Sequence, residues 1–239
     1  MRAYRLAYDG TDYRGFQRQP HGQTVEDKLF QALSALDIAD GKPERYAAAG
    51  RTDRGVSAIA QTVAFAAPQW LTPQALNSRL PDGILAWAST DVDTHFSARH
   101  DAVERRYMYH LYLPSGDLDH ATDACVALSG RHNFHNLTLD SDGTVRDMSV
   151  TAEQVGRFIM LDLRAPGFAR QLVRRVAMLV ELVARGEYPV TFVDRALAAE
   201  PLPGEDGIPP APPEGLVLRD VRYPNRSFEI DQDALESVR

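Results

Sequence analysis

Polar and apolar positions alternate at once. Tyr4, Leu6 and Tyr8 fall on one side and Arg5 and Ala7 on the other, the period of a strand with one buried face. Asp9-Gly10 closes it as a turn. From Thr24 the period lengthens: Val25, Leu29, Leu33 and Leu36 recur at helical spacing, with Thr24 placed as N-cap and Asp27 at the capping-box position. A strand followed by a helix therefore opens the chain. A polar loop through Gly41, Lys42 and Pro43 leads into residues 45–57, which hold the run Gly50-Arg51-Thr52-Asp53-Arg54-Gly55-Val56-Ser57, and residues 62–66 read as a further strand. Residues 73–80 predict a short helix stopped at Pro81-Asp82-Gly83, and residues 84–88 an apolar strand.

The second half repeats these periods. Tyr107, Tyr109, Leu111 and Leu113 alternate with Arg106, Met108, His110 and Tyr112, and residues 157–164 have the same character. Long, polar-edged strands mixed with helices suit antiparallel pairing better than a fully buried parallel sheet, so the fold class is α+β. Residues 168–185 predict one strong helix, with Phe168, Leu172, Val176, Leu179 and Val183 on its apolar stripe and Arg170, Arg174 and Glu181 opposite. Six of the 15 prolines then crowd into residues 201–213, read as a long loop before a last strand at 215–223.

Composition narrows the class. The 239 residues are 44% hydrophobic and 25% charged, which excludes collagen-like and disordered chains. No apolar run approaches the roughly 18 residues that span a bilayer, and the N-terminus lacks the apolar core of a secretory signal. The single cysteine, Cys125, has no internal disulfide partner. A cytoplasmic protein is the expectation. Net charge is −7, and the 26 basic residues include only two lysines, Lys28 and Lys42. Such a balance lacks the basic excess of most nucleic-acid binders, and it suits a salt-rich cytoplasm or a GC-rich genome equally, so charge leaves the partner open.

Three constellations could carry chemistry. Asp53 lies between Arg51 and Arg54 in a glycine-framed segment, where the guanidinium groups would keep it ionised and offer donors to an anionic substrate. It could serve as nucleophile or base, or merely close an Asx turn among solvated charges. His95, His100, His132 and His135 invite a metal reading, but no cysteine partner or H-E-x-x-H spacing accompanies them, which favours ordinary hydrogen bonding. Cys125, among apolar neighbours, reads as a packed thiol. Along Arg105-Arg106-Tyr107-Met108-Tyr109, tyrosine beside arginine could stack a nucleobase and hold its phosphate, or simply form one wall of a core. No phosphate-loop or dinucleotide-binding motif is present, so a nucleotide cofactor has no sequence support.

Taken together, the segments resemble the tRNA pseudouridine synthase A family. The matching stretches run in order: YDGTDYRGFQRQ from Tyr8, TVEDKLFQAL from Thr24, GRTDRGVSA from Gly50, LNSRLPDGI from Leu76, FSARHDAVERRYMY from Phe96, LSGRHNFHNL from Leu128, GFARQLVRRVAML from Gly167 and APPEGLVLRDVRYP from Ala211. The resemblance implies isomerisation of uridine to pseudouridine in the anticodon stem-loop of tRNA, at positions 38 to 40, without metal or cofactor. It implies two similar α+β halves, residues 1–99 carrying the aspartate loop and 100–239 the tyrosine strand and arginine helix, whose sheets form a central antiparallel platform flanked by helices with a cleft between the halves. A homodimer gripping tRNA is also implied. Asp53 matches the catalytic aspartate, Arg51 the arginine that displaces and holds the target nucleotide, Tyr107 the tyrosine that stacks on the target base, and Arg174 the basic residue paired with the catalytic carboxylate. Whether Asp53 attacks the sugar or removes a sugar proton stays open. The chain departs from the family in having Arg54 and Ser57 where alanine and histidine are usual, and the added arginine would strengthen phosphate contact or alter context preference.

Overall fold

The computed structural model describes residues 1–20, 22–202 and 207–236, so positions 203–206 of the expected proline-rich loop lie outside the described residues. The chain forms two compact units, Met1–Val103 with Val217–Arg239, and Glu104–Leu216. Where the sequence reading divides the chain once, near residue 100, the last stretch thus returns to the first unit. It does so because the strand at Leu216–Arg222 pairs in parallel with the strand that follows the Asp53 loop.

The first unit is built on β1 (Arg2–Tyr8), β2 (Ala47–Ala48), β3 (Ser57–Phe65) and β4 (Ile84–Asp91), joined by β9 (Leu216–Arg222) and β10 (Glu229–Ile230). Their order is β10-β4-β1-β3-β9, with β2 also on β3, and every pairing except β3 with β9 is antiparallel. β1 lies between β3 and β4 and is buried on both faces, not on one as its alternation suggests. Arg5 is accordingly only 8% exposed. Its guanidinium donates to the carbonyl oxygens of Ala60 and Val221 and to Thr62 Oγ1, and lies over the Phe228 ring, so a charged side chain sits in the interior with its donors occupied. Helix α1 (Val25–Ala35) starts where expected, with the Thr24 hydroxyl accepting from Asp27 N at 3.2 Å, and buries Leu29, Phe30 and Leu33; the short helix α2 (Pro73–Asn77) precedes β4. Burying each such side chain stabilises the fold by about 1.5–3 kcal/mol.

The second unit contains β5 (Glu104–Tyr112), α3 (Leu118–Leu128), β6 (Gly130–Asn133), β7 (Val145–Val155), β8 (Phe158–Ala165), α4 (Leu172–Ala184) and α5 (Phe192–Leu197). Its strands run β5-β8-β7-β6, all antiparallel. Tyr109, Leu111, Ile159, Leu161, Leu163 and Val150 share the buried face, against which α3 and α4 pack. Each unit is therefore α+β, a mostly antiparallel sheet with helices, as the patterning predicts. The expected helix at 168–185 begins four residues later. Arg170 cannot join it, because its N–H donates to Asp140 Oδ2 and its carbonyl accepts from Leu139 N and Thr138 Oγ1. Gln171 then turns left-handed, at φ 61°, before the first helical turn. Among the described residues no helix is long and apolar enough to cross a membrane.

Candidate active site

The Asp53 loop is held by contacts on both flanks. Gln61 on β3 donates from Nε2 to the Gly50 carbonyl at 3.0 Å, and Ala49 N donates to Thr62 O at 2.8 Å, which fixes the entry. Within the loop Val56 N donates to Asp53 O at 3.1 Å, closing a turn around the aspartate. Thr52 is clamped twice: its hydroxyl meets the Tyr8 phenol at 2.8 Å and its carbonyl accepts from Phe16 N at 3.0 Å. Tyr8 and Thr52 are only 5% and 6% exposed, so the residue before Asp53 is anchored in the interior while Asp53 itself is half-buried. Arg51 and Arg54, on either side of it, are exposed.

The turn after β1 forms the other wall of this loop. Gly10 N donates to Ser57 Oγ at 3.0 Å, and a Cβ on Gly10 would stand 2.1 Å from the Val56 carbonyl oxygen, so only glycine lets the two segments meet. Gly15, at φ +98°, presses similarly on the carbonyl of Thr52. Bonds from the Thr11 backbone and hydroxyl, with Ser57 adding a smaller contribution, hold the Asp9 carboxyl below its usual range. Ser57 thus ties the Asp9 turn to the loop.

In the second unit Tyr107 lies on β5 opposite Leu163, half-buried, with its ring edge-on to Phe168 at 5.3 Å. Arg174 lies on α4, and its Nε donates to the Ala211 carbonyl at 2.7 Å, while Ala211 N donates back to the Arg174 carbonyl at 3.0 Å. Glu181, which shares the helix face with Arg174, forms its ion pair with Arg185. Two neighbours that sequence reasoning passed over complete the hold on residues 208–212. Tyr109 donates from its hydroxyl to Pro212 O at 2.7 Å, and Arg175, 5% exposed, donates to Ile208 O at 2.7 Å. Burial pushes the Tyr109 phenol up to about 12; the Glu181 carboxylate adds to the shift and the Arg174 guanidinium opposes it. Residues 208–212 are thus strapped to α4 and β5 by side chains aimed at their carbonyls. The sequence signal was an arginine, Arg175, one turn from Leu172 and beside Val176 on the core side of the helix.

Asp53 and Arg51 therefore belong to the first unit, and Tyr107 and Arg174 to the second. The histidines do not gather: His132 Nε2 meets the Ser129 carbonyl at 2.9 Å, and among the described residues no three His, Cys, Asp or Glu side chains group as a metal ligand set.

Comparison with known proteins follows the same letters. A family model described as tRNA pseudouridine synthase matches residues 124–224. The chain is 58% identical to the tRNA pseudouridine synthase A of Natronomonas pharaonis over all of its own length and 91% of that protein's. With those of Haloarcula marismortui and Halobacterium salinarum it shares 53% and 51% identity, again across 100% of this chain and 91% and 90% of theirs. Identity at this level over the whole length, together with an α+β architecture that presents the Gly50–Ser57 run as an anchored loop, means that the chain belongs to the tRNA pseudouridine synthase A family, enzymes of the isomerase class.

Proposed function

We propose that the chain isomerises uridine to pseudouridine in the anticodon stem-loop of tRNA, at positions 38 to 40, with Asp53 as the catalytic nucleophile or base and Arg51, Tyr107 and Arg174 binding the substrate. The observation that carries this reading is the Asp53 loop: a half-buried carboxylate on an anchored turn, flanked by two exposed guanidinium groups. The reaction breaks the glycosidic bond, turns the uracil and rejoins it through carbon. A carboxylate can attack the ribose or take a proton from it, and fixed geometry matters because misplacement by an ångström costs about 100-fold in rate. The uridine must leave its stack to be reached. An arginine can hold the displaced nucleotide by its phosphate, and the Tyr107 ring, steadied at its edge by Phe168, can stack on the base. In this reading the chain works in the cytoplasm as a homodimer, which sedimentation of the purified protein would check.

The test is tritium release from tRNA carrying 5-tritiated uridine. Wild type releases tritium and Asp53→Asn does not, although it still binds the tRNA. Release undiminished in Asp53→Asn would remove the aspartate from the chemistry. Binding without release by wild type would make the chain an RNA-binding protein instead.

A further inference from the structure

The loop around Asp53 carries more cation than the proposed reaction assigns. Arg14 sits between two residues that touch the Asp53 loop. Tyr13 O accepts from Gly55 N at 3.4 Å, and Gly15 approaches so closely that a Cβ there would lie 3.3 Å from Arg54 N. Residues 14 and 54 are therefore neighbours across two laced loops, and both are exposed.

Neither Arg14 nor Arg54 has a carboxylate partner among the described residues. The chain around them carries 33 acidic residues and a net charge of −7. Some arginines elsewhere are neutralised instead: Arg2 pairs with Asp91, Arg18 with Asp27, Arg106 with Asp162 and Arg226 with Asp93. The Asp9 carboxylate, close by in sequence, is engaged by Thr11 and Ser57. The forked donors of an arginine match a phosphate, and two exposed arginines on neighbouring backbone segments can reach one anion together.

We propose that Arg14 and Arg54 together form a phosphate subsite that grips the RNA backbone beside the nucleotide presented to Asp53. The inference rests on the proposed RNA substrate and deepens it. The pair supplies local attraction for RNA on a chain whose overall charge opposes it, and makes substrate binding steeply salt-dependent through counterion release at this one place.

The experiment compares wild type with Arg14→Gln, Arg54→Gln, the double variant and the two Arg→Lys variants. Binding of a fluorescein-labelled anticodon stem-loop RNA is titrated across a KCl series by anisotropy, with tritium release followed in parallel. Each Gln variant is expected to lower the slope of log K against log [KCl] by about 0.7 to 0.9, the double variant by roughly twice that. Affinity at low salt falls about 10-fold per arginine, similarly for unrelated RNA sequences. The Lys variants keep the wild-type slope, which separates lost charge from lost fold. Wild-type slopes in both Gln variants would overturn the subsite. So would a slope that falls equally in the Lys variants. Absence of tritium release by wild type would instead overturn uridine isomerisation and leave the slopes to decide the phosphate subsite alone.

Discussion

Gly10→Ala tests whether the anchoring of the Asp53 loop matters to the chemistry. The backbone at Gly10 needs no positive φ, so alanine meets no conformational penalty there and the effect is steric. The added Cβ would lie 2.1 Å from the Val56 carbonyl oxygen and 2.3 Å from the carbonyl carbon, against an ordinary contact of about 3.5 Å. One of the two segments must therefore move by more than about 1 Å. Val56 is the residue whose N–H closes the turn on the Asp53 carbonyl, so the displacement reaches the carboxylate directly. Overpacking of this kind costs about 1–3 kcal/mol, which for a chain of this size lowers Tm by roughly 2–12 °C. A shift of that size in a catalytic group lowers the rate about 100-fold. Single-turnover tritium release with saturating tRNA reads the rate, RNA anisotropy reads binding, and calorimetry reads Tm. The rate should collapse while binding changes little. Gly167→Ala is the matched control, because its Cβ meets nothing within 4 Å and its φ is not positive; its Tm should stay within about 1 °C of wild type. A Gly10→Ala enzyme with wild-type rate and Tm would refute the reasoning.

Three other side chains carry measurable consequences. Tyr109→Phe removes the 2.7 Å bond to Pro212 O, costing about 1 kcal/mol, and the loosened strap also carries Ala211, the partner of Arg174 Nε; tritium release at saturating tRNA should fall several-fold with a smaller change in RNA affinity. Asp162 is partly buried, which pulls its carboxyl up, but bonds from Arg164 and Arg106 outweigh burial and hold it below the usual range. A depressed folded value stabilises above the unfolded value near ~3.9 and is lost as pH falls through the folded one, so Asp162→Asn should cost about 1 kcal/mol at pH 7 in urea titrations and nothing once wild-type Asp162 is protonated. Cys125 is 1% exposed, and burial pushes its thiol up to about 12; a disulfide reagent such as DTNB at pH 8 should leave it unmodified in the native protein and titrate it fully in urea.

The elements legible in the sequence are those whose two faces differ in polarity. Helix α1 carries a wide apolar stripe and a Thr24 cap, and β5 and β8 alternate cleanly, so all three appear where periodicity puts them. Helix α3 leaves little periodic signal because its buried stripe is Ala121, Ala124, Cys125 and Leu128, mostly small residues that hardly contrast with the polar face. β7 is equally faint because only Met148 and Val150 of its 11 residues are buried, so it offers little alternation. Alternation puts Arg5 on a polar face because a charge there normally faces water; its burial depends on Val221 and Phe228, more than 200 residues away, which no local pattern announces.

The same distinction governs the site. Asp53, Arg51, Tyr107 and Arg174 are visible as letters because the reaction would use their side chains. What positions them is mostly backbone. Thr52 is fixed through the amide of Phe16, the turn at Asp53 through the amide of Val56, Arg174 through the carbonyl of Ala211, and the strap through the carbonyls of Ile208 and Pro212. Every residue but proline offers an amide and every residue a carbonyl, so these partners leave no trace in composition or spacing. The exceptions are positions where the backbone partner must come unusually close, and there the sequence does mark the contact with glycine. Gly10 and Gly15, both inside the YDGTDYRGF stretch, are such marks, since any side chain at Gly10 would enter the carbonyl of Val56 and one at Gly15 would crowd Thr52. A glycine next to a candidate catalytic loop is thus evidence about where another strand of backbone passes, and substituting it probes the geometry of the aspartate without touching any group that bears its chemistry.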